Sequence, residues 1–244
     1  GVIVQGPEAF VTTIDAGSSG LVVTANNVHS HAKIDGFTIT AENYDHAGGL
    51  SLYYSHPTIS NNTITSNSAP FTGGGIIIPL APPTITNNTI TERATFAWGG
   101  IHNANGSPTI TNPIIWGNGE DLIACTATYS DVGSPGLGGT NISADPMFVD
   151  DDLRVDTTSP CIDAGDNSVV TEATDLGGRK RIFDGNNEGT FTVDIGAQEY
   201  CMDGVIFVNE NAAGPSHASN TVDYIHKTHA ILRPYAEHSA KVPE

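Results

Sequence analysis

The chain has 244 residues, with 27 Gly, 14 Pro, only 15% charged residues and a net charge of −18. So acidic a surface repels phosphate backbones and argues against nucleic acid as a partner. No run of about 18 apolar residues is present to span a membrane. Asn, Thr and Ser are abundant beside the Gly and Pro, which points away from a helical enzyme and toward short strands broken by many turns. The cysteines are Cys125, Cys161 and Cys201, an odd number without metal-ligand spacing.

In chain order, the first registered apolar residue is Ile34, followed by Ile59, Ile85 and Ile110 at intervals of 25, 26 and 25 residues. A second column, Ile39, Ile64, Ile90 and Ile115, keeps an offset of five from the first. A third begins at Leu50, Ile76 and Ile101, each preceded by a Gly-Gly pair. The segment Pro57-Thr-Ile-Ser-Asn-Asn-Thr-Ile-Thr65 returns as Pro83-Thr-Ile-Thr-Asn-Asn-Thr-Ile-Thr91, then in altered form from Pro108 to Trp116. Each repeat therefore holds three short strands of alternating polarity. Too short to bury an apolar face alone, they stack by coiling into three parallel sheets around one core, with rungs about 4.8 Å apart. Asn61-Asn62, Asn87-Asn88 and Asn112 fall between the first two columns, with Gly36 one turn earlier. Asn and Gly tolerate the left-handed backbone of a tight corner, and stacked amides hydrogen-bond along the axis as a ladder. Asn61 and Asn87 begin Asn-x-Thr sequons, read here as by-products of that ladder.

The coils occupy residues 1–132, with a last rung around Leu122–Cys125 and Tyr129–Val132. Residues 133–200 are irregular and rich in Asp, Gly and Pro, a cap that closes the open end of the solenoid. Arg179-Lys180-Arg181 is the one basic cluster, expected to pair with Asp175, Asp184 or Asp194. Residues 201–244 are an appendage, either the start of another module or a tail. Val205–Asn209 reads as a strand, and Val222, Ile225, His229 and Leu232 have helical spacing before Pro234. His226 and His229 lie three apart, with no third metal ligand evident.

The repeat resembles that of the right-handed parallel β-helix proteins sharing the pectate lyase fold. Ile142–Val149, Ser159-Pro-Cys-Ile-Asp-Ala-Gly165 and Val193-Asp-Ile-Gly-Ala-Gln-Glu-Tyr200 look like the closing segment of secreted bacterial members. The resemblance covers residues 10–200 and implies an all-β, right-handed parallel β-helix with about 25 residues per coil and an irregular C-terminal cap. It also implies an extracellular or cell-surface location, although the chain opens at Gly1-Val-Ile-Val4 without a leader.

In that family the third sheet and the loops before it hold the binding groove. Here the outward positions are Ser51, Ile77 and His102, without the acidic calcium site of pectate lyases or the clustered aspartates of polygalacturonases. The preceding loops carry Glu42, Tyr44, Asp45 and His46, then Phe71, then Glu92, Arg93, Phe96 and Trp98, then Glu120 and Asp121. Glu92 and Asp121 on neighbouring rungs are the candidate acid and base for glycoside cleavage, with His102 as a proton relay. Trp98, Phe96 and Tyr44 are candidate sugar platforms, Trp98 favoured because Gly99-Gly100 leaves room for a ligand, and Arg93 a substrate contact. The competing view makes the acids solvated loop residues, with Arg93 neutralising Glu92 and the aromatics covering the core. No nucleotide, flavin or haem motif is present; calcium is the one cofactor kept open. Two functions stand. One is an extracellular protein that binds a polysaccharide or cell-surface glycan, with hydrolase or lyase activity as its catalytic form. The other is a non-catalytic structural or adhesive surface module.

Overall fold

The computed structural model describes residues 3–5, 12–17, 21–41, 48–67, 74–91, 99–134, 138–201, 205–206 and 225–226. Gly1–Tyr200 form one compact unit and Cys201–Glu244 another. In the first unit each coil contributes three strands. They run β1 (Ile3–Gln5), β2 (Thr12–Asp15) and β3 (Val23–Asn26), then β4 (Lys33–Asp35), β5 (Phe37–Thr40) and β6 (Leu50–Tyr53). Next come β7 (Thr58–Ser60), β8 (Thr63–Thr65) and β9 (Ile76–Pro79), then β10 (Thr84–Thr86), β11 (Thr89–Thr91) and β12 (Ile101–Ala104). The last full coil is β13 (Thr109–Thr111), β14 (Ile114–Ile115) and β15 (Leu122–Ile123), followed by β16 (Asp131–Val132).

Through β15 every third strand pairs in parallel, and β16 adds beside β14, giving sheets ordered β1-β4-β7-β10-β13, β2-β5-β8-β11-β14-β16 and β3-β6-β9-β12-β15. The fold is a parallel β-solenoid, as the repeat requires. Its register reproduces the sequence columns. Ile34 faces Ile59, which faces Ile85 and then Ile110. Ile39, Ile64, Ile90 and Ile115 align in the second sheet, and Leu50, Ile76 and Ile101 in the third. These side chains, with Leu52 and Ile78, fill the lumen and, apart from half-buried Ile34, are buried. Full burial is worth about 1.5–3 kcal/mol for each such residue. β-Branched residues at most of these positions suit the pleated backbone.

The glycine pairs have a steric cause. Gly49 N donates to the Gly74 carbonyl and Gly75 N to the Gly99 carbonyl, each at 2.7 Å. A Cβ on Gly99 would sit 1.9 Å from the Asn118 carbonyl oxygen, and one on Gly100 2.1 Å from that of Asp121. The space that a side chain would occupy is thus filled by the backbone of the next coil.

At the corner between the first two sheets the paired asparagines divide two tasks. Asn61, Asn87 and Asn112 take left-handed backbone, as Gly36 does. Asn62 and Asn88 form the buried ladder, the Asn88 Oδ1 accepting from both the Asn62 backbone N and Nδ2 at 3.0 Å. Asn88 Nδ2 donates to the Ile59 and Thr86 carbonyls, while Asn62 Oδ1 accepts from Phe37 N. Pro113 occupies the ladder position of the following coil and ends the series. Both sequon asparagines, Asn61 and Asn87, are buried.

The cap is laid out differently from a simple end plug. Ile142 extends the second sheet past β16, but residues 161–200 then run back along the outside of the asparagine corner. Contacts tie this strap to successive coils. Glu172 pairs with Lys33, Arg181 Nη2 donates to Asn61 Oδ1 at 2.6 Å, and Ala197 N donates to Thr89 Oγ1 at 3.0 Å. Asn112 Oδ1 accepts from Asp166 N at 2.8 Å. Ile114, turned outward because Ile115 faces the lumen, packs with Cys161 and Ile195 in a second small core. The strap forms there because outward amides and an outward isoleucine both require cover.

Arg181 is the strap's buried cation. It pairs with Glu199 at 2.7 Å, a partner outside the expected aspartates, while Arg179 makes the expected pair with Asp175 at 3.9 Å. Burial raises the carboxyls of Asp175 and Asp194, and lifts Glu199 to about 7 against the pull of Arg181. Glu172 goes the other way. Burial opposes it, yet the Lys33 and Thr171 hydrogen bonds hold its carboxyl below the ordinary value.

In the second unit β17 (Val205–Ile206) pairs antiparallel with β18 (Ile225–His226). Ile225 and His226 therefore lie on a strand, not on the helix expected over 221–232. Ile225 is β-branched and suits extended backbone, and apolar spacing over so short a stretch does not separate the two states. His229 lies outside the described residues.

Two outcomes are expected. Asn88→Ala removes the acceptor for Asn62 and strands the Ile59 and Thr86 carbonyls, so urea unfolding should show a loss of about 2–4 kcal/mol. The exposed corner variant Asn27→Ala should lose less than about 1 kcal/mol. A carboxyl raised on folding stabilises fully below its ordinary value, and that contribution is lost as pH rises through the folded value. Stability should therefore fall by on the order of 2 kcal/mol between pH 5 and pH 8, a window above the range in which Glu172 titrates. Glu199→Gln should flatten that slope in thermal scans.

Candidate functional site

The third sheet and its flanking turns are where the sequence placed the chemistry. Glu92, Arg93, Phe96, Trp98 and Tyr44 lie outside the described residues, as do Glu42, Asp45, His46 and Phe71. His102 sits on β12 between Ile77 of β9 and Ile123 of β15, half-buried on the outward side. Alternation also turns Ser51 and Ile77 outward, as the strand period requires.

Asp121 has a different environment from a groove carboxylate. Only 4% of it is accessible. Its Oδ1 accepts from Asn118 Nδ2 at 2.9 Å and from Asn118 N at 3.3 Å, and its Oδ2 accepts from Ser134 Oγ at 3.1 Å. Asn118 in turn donates to the Ile90 carbonyl. Asp121 thus ties the turn before β15 to the segment after β16. Neighbouring Glu120 is exposed. The room ascribed to Gly99-Gly100 beside Trp98 is occupied by the backbones of Asn118 and Asp121.

A feature the sequence reading passed over lies at the far end of the same sheet. The outward residues ending β3, β6, β9 and β12 are Asn26, Tyr53, Pro79 and Ala104, in register along the axis. The corner after them is left-handed in every coil, at Asn27, Tyr54, Leu80, Asn105 and Ala124. Asn is inexpensive there, but left-handed backbone costs bulky L-residues roughly 1–2 kcal/mol each. Tyr53, Tyr54 and Leu80 nonetheless stay 42%, 46% and 42% exposed. The two tyrosine rings meet edge to face with centroids 4.5 Å apart. With Pro79 and Leu80 they make an apolar patch over two neighbouring coils, rimmed by the exposed amides of Asn26, Asn27 and Asn105. Adjacent aromatics at one strand end were the available signal. What hid it was their position after the strand rather than in the long loops before it.

Among the described residues no group of three or more His, Cys, Asp or Glu is placed to hold a metal ion, and no helix is long and apolar enough to cross a membrane. Cys161 is a buried thiol that donates to Asp131 Oδ2, and its burial pushes its ionisation upward.

If Asp121 serves the turn, Asp121→Ala should lower stability by about 2–4 kcal/mol in urea unfolding, because three donors lose their acceptor. An unchanged midpoint would sink that assignment.

In comparison with known proteins, residues 10–134 match the family described as a right handed beta helix region. No curated protein and no solved structure matches the chain.

Proposed function

From the premise that the chain belongs to the right-handed β-helix family, we propose that it is an extracellular or cell-surface module that binds polysaccharide without cleaving it. One observation carries this reading: the exposed Tyr53–Tyr54 pair continued by Pro79 and Leu80 on a rigid sheet edge. Flat apolar rings complement the C–H faces of pyranose rings, and tyrosine hydroxyls reach sugar hydroxyls from the same side. The solenoid spends little entropy on binding, because its strands are already fixed by pairing on both sides. The commitment of Asp121 to the turn supports binding over cleavage. Glycoside cleavage uses a pair of carboxyl groups open to the scissile bond, about 5–9 Å apart. The low charge density and abundant Thr, Asn and Ser suit a solvated, exported surface.

The test is incubation of the full chain with neutral and acidic polysaccharides, read by co-sedimentation and by mass spectrometry of soluble products. Retention on at least one polymer with no new oligosaccharide is expected. Saturated fragments would make the protein a hydrolase, and unsaturated fragments a lyase; either overturns the non-cleaving reading.

A further inference from the structure

Resting on that reading, we infer that the Tyr53–Tyr54 face takes an uncharged glycan, not an anionic one. The described outward positions of the third sheet are Thr24, Asn26, Ser51, Tyr53, Ile77, Pro79, His102, Ala104 and Ile123, with Asn27, Tyr54, Leu80 and Asn105 at the corner. None is Lys, Arg, Asp or Glu. Among the described residues, a uronate or sulfate lying along this face meets no guanidinium or ammonium to replace its lost hydration, and an unpaired desolvated carboxylate is costly. Bridging by calcium finds no carboxylate to hold the ion among the described residues of the same face.

Of the five cations described in the first unit, four are paired. Lys33 pairs with Glu172 and Asp35, Arg154 with Asp150, Arg179 with Asp175 and Arg181 with Glu199. Lys180 is exposed but belongs to the strap, which lies against the first and second sheets. The net charge of −18 adds long-range repulsion of any polyanion.

The groups present match the opposite chemistry. An apolar centre of two tyrosines, a proline and a leucine is flanked by three exposed asparagine amides. Each amide both donates and accepts, as a sugar hydroxyl does. Coils lie about 4.8 Å apart, close to the length of one pyranose unit. One sugar therefore rests on the tyrosines and the next on Pro79 and Leu80, a contact of disaccharide size running along the solenoid axis.

Native affinity electrophoresis of the full chain tests this, in gels containing xyloglucan, galactomannan or mixed-linkage glucan, and in gels containing polygalacturonate or alginate with and without calcium. Retardation by at least one neutral polymer is expected, with less than a twofold change between 50 and 500 mM NaCl. Tyr53→Ala and Tyr54→Ala, both at exposed positions and checked by circular dichroism, should weaken it about tenfold or more. Retardation by the anionic polymers alone, abolished by salt, would overturn the neutral-glycan inference and leave polysaccharide binding standing. Neutral binding unchanged in both tyrosine variants would overturn the placement of the site. No retardation in any gel would overturn the polysaccharide-binding reading itself.

Discussion

Stacking parallel coils at strand spacing forces each coil to complete the hydrogen bonding of its neighbour, and the asparagine corner is where that demand is sharpest. Between two strands of only three residues the chain must turn without leaving buried backbone groups unpaired. The outer asparagine supplies the left-handed turn, and the inner one reaches with its amide to carbonyls of its own and the preceding coil. The isoleucine columns can stay in register because this corner has the same length in successive repeats. Where Pro113 takes the inner position the ladder stops, and within two further strands the regular coils give way to the cap.

That corner also explains the strap. Turning the outer asparagines left-handed aims their amides away from the lumen, where they need partners of their own. Arg181 and Asp166 N meet two of them, at Asn61 and Asn112, and the Gly196–Ala197 backbone lies across Thr89 and Ile114. A Cβ at Gly196 would stand 2.8 Å from Ile114 Cδ1, so the closeness of the strap depends on that glycine. Seating it this tightly buries Arg181 with Glu199 and Asp194. Breaking such a buried pair is far more disruptive than its net contribution to stability would indicate. The strap and coils consequently form one unit, not a body with a detachable lid.

Among the described residues, the strap leaves the third sheet uncovered. The far corner of that sheet carries Tyr54 and Leu80 in a conformation that Asn would adopt more cheaply, and both, with the neighbouring Tyr53, keep much of their surface in water. Contacts among the described residues do not account for them, and the proposed glycan would supply the missing ones. The absence of Lys, Arg, Asp and Glu among the described outward residues of this sheet separates it from the acid- and calcium-bearing grooves of pectate lyases.

The sequence by itself determined the coil. Three isoleucine and leucine columns with constant offsets admit one register, since a slip by one residue would turn every core side chain outward. Glycine pairs and asparagine corners were legible for the same reason: each answers a local backbone demand repeated coil after coil. Only the tertiary structure decided which asparagine of each pair turns and which ladders, because the two amides are chemically identical until the core fixes their directions. It alone placed residues 161–200 along the side, gave Asp121 to Asn118 and Ser134, and joined Arg181 to Asn61 across 120 residues. Periodicity reports what a residue does within its own coil, whereas these contacts depend on where distant, non-repeating segments come to rest, and packing sets that.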